Sequence, residues 1–272
     1  ALFGSSGDID LLLPGGTWAS VPMVRGLMKT TPFILRRHEG SFVVSLETNP
    51  SLMVRAEVRP PAKVFDFRTN QGVPFGQFGT VHGPYMALSP TNRCTFIDAN
   101  KRCGFCGVSP QDGARDPIPV DEVVEAIHRA RDEHPVHIVY LSVGHLGTED
   151  GGVRFIEPYI EAIKKHFDVL VAVDGLPPRT DQWIDRTYAM GADAISYNLE
   201  IFDPTLFEQI CPGPAQAIGR ERFLDALEYA ATVFPSGGTA CHLIVGMESL
   251  ESTRAGIDRL TEMGVLPVLP LY

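Results

Sequence analysis

The chain has 272 residues, with 23 Lys and Arg against 33 Asp and Glu, so its formal net charge is −10. It lacks the excess of cationic side chains with which proteins bind nucleic acids or anionic membrane surfaces, so we expect neither partner. Hydrophobic residues make up 44% and charged residues 21%, which predicts a packed core and excludes wholesale disorder. No apolar run approaches the roughly 18 residues of a membrane span. The N-terminus has no basic segment followed by an apolar one, so we do not expect a secretion signal. We expect a cytoplasmic location.

The first 82 residues differ in texture from the rest, because Gly and Pro are frequent and few segments have a regular hydrophobic period. Alternation of apolar and polar residues predicts a strand over residues 41–47, and another extended segment follows over residues 52–58. We therefore expect residues 1–82 to form an irregular, partly β N-terminal layer that extends or caps the remainder.

From residue 83 to residue 272, short apolar runs alternate with amphipathic helical segments. The predicted strands are residues 85–88, 136–143, 169–173, 194–199, 239–245 and 265–269; the predicted helices are residues 120–130, 156–166, 182–190, 221–233 and 250–263. Gly191 and Gly264 follow two of these helices, where a left-handed residue is common.

Strands that alternate with helices form βαβ units and a parallel sheet. Six such units are fewer than the eight of a complete barrel, so the sequence predicts an α/β fold with a partial (β/α)6 TIM-type barrel over residues 83–272. An open doubly wound sheet is the alternative. In both folds a ligand binds at the C-terminal ends of the strands.

Three of the five cysteines, Cys94, Cys103 and Cys106, lie within thirteen residues of chain. An odd count with this clustering does not suit a disulfide framework, and it indicates a metal site in a reducing compartment. Three thiolates on a loop after a strand can hold three irons of a 4Fe-4S cluster and leave the fourth iron open to another ligand. The alternative is zinc, in a Cys3His site completed by His82 or His145.

The segment with these cysteines resembles the cluster loop of the radical S-adenosylmethionine (SAM) superfamily. The usual signature is C-x3-C-x2-C after the first strand of a partial barrel, with an aromatic residue before the last cysteine. Here the spacing is C-x8-C-x2-C, and Phe105 precedes Cys106. The longer first gap departs from the signature, whereas the final C-x2-C is retained. The resemblance extends over residues 85–272.

Two further segments resemble SAM-binding motifs, the first a motif of the superfamily in general and the second a motif of its biotin synthase and lipoyl synthase branch. Ser142 and Gly144 lie where relatives have a glycine-rich turn that holds the methionine amino group, although the usual acidic residue is missing. Asn198 and Glu200 resemble an N-x-E step that reaches the ribose and the amino-acid part of SAM. Both pairs also have an ordinary interpretation: the first as a βα turn that needs glycine, and the second as the polar end of a strand.

An arginine and a glycine complete the resemblance. Arg222 resembles the helical arginine that pairs with the SAM carboxylate, with Arg220 as a close competitor. Gly246 follows the fifth predicted barrel strand, where relatives have a glycine that lets the backbone approach adenine. The resemblance therefore implies a cofactor-binding set of Phe105, Ser142, Gly144, Asn198, Glu200, Arg222 and Gly246.

The resemblance implies an enzyme with a 4Fe-4S cluster and SAM as cofactors. One electron from a reductase, a flavodoxin or a ferredoxin would cleave SAM to methionine and a 5′-deoxyadenosyl radical, which would abstract hydrogen from a small-molecule substrate in a biosynthetic pathway. His145, Tyr197, Asp174 and Arg179 are candidates to line the substrate cavity, with Arg179 the weakest. Cys211 could also act there on substrate.

Three other interpretations remain open at this point. A non-enzymatic zinc or iron–sulfur module on a βα barrel would bind metal without SAM. A sulfur-inserting relative of biotin synthase would need a second cluster, for which Cys211 and Cys241 supply few ligands, and Cys241 reads as a buried apolar residue. A conventional barrel enzyme would use carboxylates such as Asp174 and Glu200 and would leave the clustered thiols unexplained.

Overall fold

The chain folds into two compact units, one formed by residues up to Met86 together with Ala126–Val136, the other by Ala87–Glu125 and His137–Tyr272. The computed structural model of the chain describes residues 8–22, 31–108 and 113–271. Within these ranges, none of the helices combines the length and the apolar composition that a membrane crossing requires.

The first unit contains a five-stranded antiparallel sheet in the order β2-β1-β5-β4-β3. The strands are β1 (Asp8–Leu13), β2 (Thr17–Pro22), β3 (Phe33–His38), β4 (Ser41–Leu46) and β5 (Met53–Arg59). Glu39 and Gly40 join β3 to β4 with φ values of 48° and 80°, as in the two-residue hairpin turn that suits twisted strands. The N-terminal layer predicted to be partly β is present, and it is more regular than the sequence indicates.

Beyond this sheet, the first unit holds a cluster of aromatic rings. Two short 3-10 turns, Lys63–Asp66 and Phe75–Gln77, precede the strands β6 (Gly79–His82) and β7 (Tyr85–Leu88). Phe75 and Phe78 have no solvent exposure, and their rings meet edge to face at 5.4 Å. Their burial gives this Gly- and Pro-rich segment a hydrophobic core of its own.

The second unit is built on a parallel sheet whose strands follow one another in chain order. After the end of β7, which lies beside β8, the strands are β8 (Ile138–Ser142), β9 (Leu170–Gly175), β10 (Ala194–Tyr197), β11 (Thr239–His242) and β12 (Leu266–Val268). Every predicted barrel strand is therefore present. Because neighbours in sequence are neighbours in the sheet, the C-terminal strand ends form one continuous edge.

Eight helices are found in the described residues: α1 (Thr95–Asp98), α2 (Val120–Arg131), α3 (Val153–His166), α4 (Gln182–Ala189), α5 (Pro204–Ile210), α6 (Pro212–Ala217), α7 (Arg220–Val233) and α8 (Leu250–Glu262). The five predicted helices are among them. Gly191 and Gly264 have φ values of 107° and 76°, as predicted for residues that end helices. Helices α1, α5 and α6 were not predicted, because segments of 4, 7 and 6 residues are too short to show a helical period.

The helices bury one apolar face each. On α3, Ile156, Ile160 and Ile163 are at most 1% exposed, and their spacing of four and three residues places them on one side of the helix. On α8, Gly256 allows a closer approach: a Cβ there would lie 2.8 Å from Leu243 Cδ1 and 2.8 Å from Phe202 Cγ. Helix α8 is thus positioned by a residue without a side chain.

This close approach makes Gly256→Ala destabilising. Alanine gains about 1 kcal/mol of helix propensity, but overpacking of a core costs about 1–3 kcal/mol. The two effects together should lower the free energy of unfolding by up to about 2 kcal/mol in urea denaturation. The matched control is Ala255→Ser on the exposed face of the same helix, which should change stability by less than about 0.5 kcal/mol. A Gly256→Ala variant more stable than the wild type would contradict the close packing of α8 at Gly256.

Candidate active site

The carboxylate of Asp174, at the C-terminal end of β9, connects its two neighbouring strands. Ser142 Oγ, from the last residue of β8, donates a hydrogen bond to one oxygen at 3.0 Å, and Asn198 Nδ2, just after β10, donates to the other at 2.8 Å. Burial raises the pKa of Asp174 to about 6, and the hydrogen bond from Ser142 opposes that rise. The carboxyl group is thus able to gain or lose a proton near neutral pH.

Asn198 extends this network to the next strand. Its Oδ1 accepts a hydrogen bond from the backbone N–H of His242, at the end of β11, at 3.0 Å. The hydroxyl of Ser196 also donates to Oδ1, at 2.5 Å. Four successive strand ends, β8 to β11, are therefore connected through two side chains, and the sequence-predicted residues Ser142 and Asn198 belong to one network.

Glu200 stands beside this network in an uncommon backbone conformation, with φ of +68°. Its N–H donates to the His242 carbonyl at 2.8 Å and its carbonyl accepts from Ile244 at 2.8 Å, so the left-handed residue stays paired with the sheet edge. Residues other than glycine rarely adopt this conformation, and where they do, a functional constraint is a common cause.

The Glu200 carboxyl group is partly buried and lies among negative charges. Burial, and then the charges of Asp174 and Cys103, raise its pKa to about 8. At neutral pH the group is therefore protonated and can donate a hydrogen bond.

Cys94 lies at the start of α1, where the loop after β7 is fixed to the loop after β8. The N–H of Thr95 donates to the His145 carbonyl at 2.8 Å, and Thr95 Oγ1 is hydrogen-bonded to His145 Nδ1 at 2.6 Å. The His145 ring stacks on Phe96 with a centroid distance of 4.3 Å and an interplanar angle of 11°. His145, predicted to line a substrate cavity, thus contacts the cysteine loop directly, and burial lowers its pKa.

Gly144 brings the same two loops into van der Waals contact. A Cβ at this position would lie 2.8 Å from the Arg93 carbonyl oxygen and 3.0 Å from Cys94 Cβ. No side chain fits in that space. The sequence-predicted glycine of this turn is therefore required by the approach of the cysteine loop.

Cys103 and Cys106 lie further along the loop, both partly exposed. The N–H of Cys106 donates to the Cys103 carbonyl at 3.1 Å, which makes the tight turn of the C-x2-C segment. Burial raises the pKa of Cys106, a hydrogen bond from the Val108 backbone opposes this, and the charges of Cys103 and Cys94 raise it further. The three thiols are thus close enough to interact electrostatically.

These donors fit a 4Fe-4S cluster better than a zinc ion. Among the described residues, no three His, Cys, Asp or Glu side chains are grouped tightly enough to hold one metal ion. A cluster does not require such a group, because each cysteine ligates a different iron. His82, proposed as a zinc ligand, is instead bonded within the first unit to Asp10 at 2.9 Å and to Thr80 at 2.9 Å. The three free, partly exposed thiols could hold three irons.

The structure places two predicted residues in a different group. Arg222, on α7, donates from Nε to the Pro178 carbonyl at 2.9 Å and from a terminal nitrogen to Asp181 at 2.8 Å. Tyr197 is 2% exposed, and burial raises its pKa, with smaller effects of the Arg222 and Asp181 charges. These contacts tie α7 to the loop after β9, whereas the Ser142, Asn198 and Glu200 group lies at the strand ends.

The remaining predicted residues have local roles. Arg220 donates to the Phe202 carbonyl at 3.0 Å and lies over the Phe202 ring. Gly246 has φ of +106° after β11, which requires glycine. Phe105 is partly exposed. Arg179 is exposed and paired with Glu149.

Comparison with known proteins agrees with this geometry. Residues 88–256 match the model of the Radical SAM superfamily, which is more than half of the chain. The chain belongs to the radical SAM superfamily. It is therefore an enzyme of the radical SAM class, a family whose cofactors are a 4Fe-4S cluster and SAM. The predictions of superfamily, enzyme class and cofactors are confirmed.

Two solved structures share the fold of this chain. The FeFe-hydrogenase maturase HydG from Carboxydothermus hydrogenoformans has a TM-score of 0.56 at 19% identity and matches 69% of this chain and 44% of its own. Methylornithine synthase (PylB) has a TM-score of 0.52 at 14% identity and matches 77% of this chain and 63% of its own. With the parallel sheet, these similarities confirm the predicted partial TIM-type barrel.

One relative is similar in sequence over a shorter segment. The bacteriochlorophyllide c C-7(1)-hydroxylase of Chlorobaculum limnaeum is 28% identical over 97 residues, which are 35% of this chain and 24% of the hydroxylase. This chain therefore spans less than two thirds of the length of each of these three relatives.

The raised pKa of Glu200 predicts how Glu200→Gln changes stability with pH. The folded carboxyl keeps its proton up to about pH 8, whereas the unfolded one loses it near the ordinary value of 4.5. The wild type should thus lose stability as pH rises through this window, by up to about 1.4 kcal/mol per pH unit. The Glu200→Gln variant should not show this loss, because glutamine cannot ionise. Urea unfolding between about pH 5 and 8 should show the difference moving in favour of Glu200→Gln.

The control for this measurement is Glu161→Gln, an exposed glutamate on α3. Its stability relative to the wild type should stay constant across the same pH range. A constant difference for Glu200→Gln as well would show that Glu200 is ionised in the folded protein.

Proposed function

We propose that Cys94, Cys103 and Cys106 hold the 4Fe-4S cluster of this radical SAM enzyme. The observation that carries the proposal is the hydrogen bond from the Thr95 N–H to the His145 carbonyl at 2.8 Å, because it holds the start of the cysteine loop against the loop after β8, at the C-terminal ends of the barrel strands. In this fold the ligand binds at those ends. The contacts of Gly144 and His145 with residues 93–96 support the same placement.

The SAM site proposed here is formed by the strand ends next to the cluster loop. Asn198 and Glu200 offer polar groups for hydroxyls and for the amino-acid part, with Ser142 and Gly144 beside them and Gly246 and Phe105 at the adenine end. Arg222 is the proposed partner of the SAM carboxylate. It would exchange its bond to Asp181 for that contact. We also propose that the chain belongs to the biotin synthase and lipoyl synthase branch, on the motifs around Asn198 and Arg222.

The reaction proposed is abstraction of hydrogen from a small-molecule substrate in a biosynthetic pathway. When bound, the cluster and SAM supply a 5′-deoxyadenosyl radical once a ferredoxin, a flavodoxin or a reductase has delivered one electron. The protein contributes orientation, exclusion of water and control of protons. His145, Tyr197, Asp174 and Cys211 are the candidate residues on the substrate side, and the reducing environment that such a cluster needs favours the cytoplasm.

A hydroxylation is the second candidate for the overall reaction. The observation that favours it is the sequence similarity to a bacteriochlorophyllide hydroxylase, which by its name acts at a carbon atom of a tetrapyrrole. The hydrogen-abstraction step is common to both candidates. Tests of cluster assembly and of 5′-deoxyadenosine formation therefore come before tests of substrate.

Replacing any one cluster cysteine should abolish the radical reaction. In the reconstituted protein with SAM and dithionite under anaerobic conditions, Cys94→Ala, Cys103→Ala and Cys106→Ala should each form 5′-deoxyadenosine at least about 100-fold more slowly than the wild type, because an iron loses its thiolate ligand. Cluster absorbance and chromatographic assay of 5′-deoxyadenosine are the measurements.

Cys241→Ala is the matched control, since Cys241 is a buried thiol on β11 outside the cysteine loop. It should retain both the cluster and the reaction. Equal activity of the wild type and Cys106→Ala would exclude the proposed ligand set.

Gly144→Ala should displace the cysteine loop, because the new methyl group would overlap the Arg93 carbonyl and Cys94. We expect cluster content, as iron per chain, to fall by about half or more, since this contact cannot relax without moving backbone. Gly104→Ala is the comparison, because its Cβ would lie an ordinary 3.5 Å from Ile210 Cγ2. A Gly144→Ala protein with full iron content would show that the two loops separate when the cluster binds.

A further inference from the structure

The chain bends sharply at Glu200, shortly after the end of β10. The N–H of Ile201 donates a hydrogen bond to the Leu199 carbonyl at 2.8 Å, and the φ of Glu200 between them is +68°. A bond between residues i and i+2 around a positive φ forms a γ-turn of the rare, strained kind. Such a conformation persists only where the surrounding structure enforces it. The γ-turn therefore needs contacts on both of its sides.

On the side of the sheet, the backbone of Glu200 supplies these contacts. Its N–H is bonded to the His242 carbonyl and its carbonyl to the N–H of Ile244. These bonds do not reach residues 201–203, and α5 begins only at Pro204. The segment that follows the γ-turn thus needs another source of order.

The carboxylate of Glu248 binds that segment from the loop after β11. Its Oε2 accepts the N–H of Phe202 at 3.0 Å and the N–H of Asp203 at 2.8 Å. Ser252 Oγ donates to the same oxygen at 2.9 Å, and Thr253 Oγ1 donates to Oε1 at 3.3 Å. Hydrogen bonds to a charged acceptor are about twice as strong as neutral ones. One carboxylate thus joins the chain after the γ-turn to the first turn of α8.

Other contacts of Phe202 leave this role to Glu248. Arg220 Nε donates to the Phe202 carbonyl at 3.0 Å, and the Arg220 guanidinium lies 4.6 Å above the centre of the Phe202 ring. The other side of that ring lies close to Gly256. These contacts anchor the ring and the carbonyl, whereas Glu248 binds the N–H groups nearest the γ-turn.

We propose that Glu248 is a positioning residue for SAM, which keeps the strained γ-turn closed and thereby presents the Glu200 side chain to the bound cofactor. The inference rests on the proposed function, in which Glu200 contacts SAM. It goes further because Glu248 itself needs no contact with SAM and acts through the backbone of residues 201–203.

The expected effect follows from the populations of two backbone conformations. Without Glu248, the N–H groups of Phe202 and Asp203 lose their charged acceptor, and the chain can relax to an ordinary φ at Glu200. A ligand that binds only one conformation has its apparent dissociation constant divided by the fraction of molecules in that conformation. If the γ-turn is then populated in about one molecule in ten, SAM should bind about tenfold more weakly.

The test is a double-mutant cycle on the dissociation constant of SAM, measured by titration calorimetry on the anaerobically reconstituted holoenzyme. Glu200→Ala and Glu248→Ala should each weaken binding about tenfold. The double variant should bind no more weakly than Glu200→Ala, because a residue that acts only through the Glu200 side chain has no effect once that side chain is removed. Two independent structural effects would instead multiply to about a hundredfold.

Three further variants separate positioning from general damage. Glu248→Gln retains an oxygen acceptor for the same N–H groups and should bind SAM within about threefold of the wild type. Glu251→Ala removes an exposed glutamate from the first turn of α8 and should leave SAM binding unchanged. Glu248→Asp, whose carboxylate is withdrawn by one bond, takes the place of Glu248→Ala in the cycle should that variant not fold.

A second measurement needs no SAM. The N–H of Ile201 is bonded to Leu199 and not to Glu248, so its exchange with deuterium reports the γ-turn itself. In the holoenzyme without SAM, this exchange should be at least about tenfold faster in Glu248→Ala and close to the wild-type rate in Glu248→Gln. Mass spectrometry with fragmentation to single residues is the measurement.

Either of two results would overturn the inference. One is a loss of affinity in the double variant that equals the product of the two single losses, and the other is an unchanged exchange rate of Ile201 in Glu248→Ala. Neither result would affect the proposed contact of Glu200 with SAM. A Glu200→Ala variant that binds SAM like the wild type, by contrast, would remove that contact and this inference together.

Discussion

The arrangement of the strand ends depends on one buried carboxylate, that of Asp174. It accepts hydrogen bonds from Ser142 on β8 and from Asn198 after β10, and Asn198 in turn holds the backbone of β11 through His242. Backbone pairing between parallel strands sets only the register of the strands themselves. A buried carboxylate is tolerated only where hydrogen-bond donors satisfy it. Replacement of either donor would leave one oxygen of the buried carboxylate without a partner, so the four strand ends are set as a group. The pKa of Asp174 still rises to about 6, so these hydrogen bonds offset only part of the free-energy cost of burying the charge.

The cysteine loop derives its position from this group. Ser142 is followed by Val143 and then by Gly144 and His145, so the residue that bonds Asp174 is two positions away from the one that meets Arg93 and Cys94. The Thr95 and Phe96 contacts of His145 then fix the first turn after Cys94. A loop with eight residues between its first two cysteines would otherwise have considerable freedom. Contacts to β8 at one end and to the α5–α6 junction at the other compensate for the long gap.

Much of the barrel could be predicted from sequence, because its signals are periodic. Apolar runs predict β8 to β12, and helical periodicity predicts α2, α3, α4, α7 and α8. The clustered cysteines identify the loop that carries them as a candidate site. What could not be predicted depends on pairs distant in sequence. The hydrogen bond from the Gly104 N–H to the Ile210 carbonyl spans more than 100 residues and joins the cysteine loop to the junction of two helices too short to show a period. Strands β1 to β3 were missed for a related reason, since β3 and β2 leave most side chains at least partly exposed and so lack a clear alternation. Arg222 was recognised by its motif, but its bond to Asp181 could be seen only in three dimensions.

Proton placement around Cys103 connects the site to its chemistry. Three thiolates and two carboxyl groups within one region would carry a large negative charge, and in a medium of low dielectric constant such a charge opposes the uptake of an electron. The structure relieves this in two ways. Burial and neighbouring charges raise the pKa of Glu200 to about 8, so this carboxyl is neutral at physiological pH. Interaction with Cys103 and burial raise the pKa of Cys211, so this thiol also stays protonated. Glu200 and Cys211 are therefore uncharged at neutral pH, an environment that favours the reduced state and still offers Glu200 to a bound ligand.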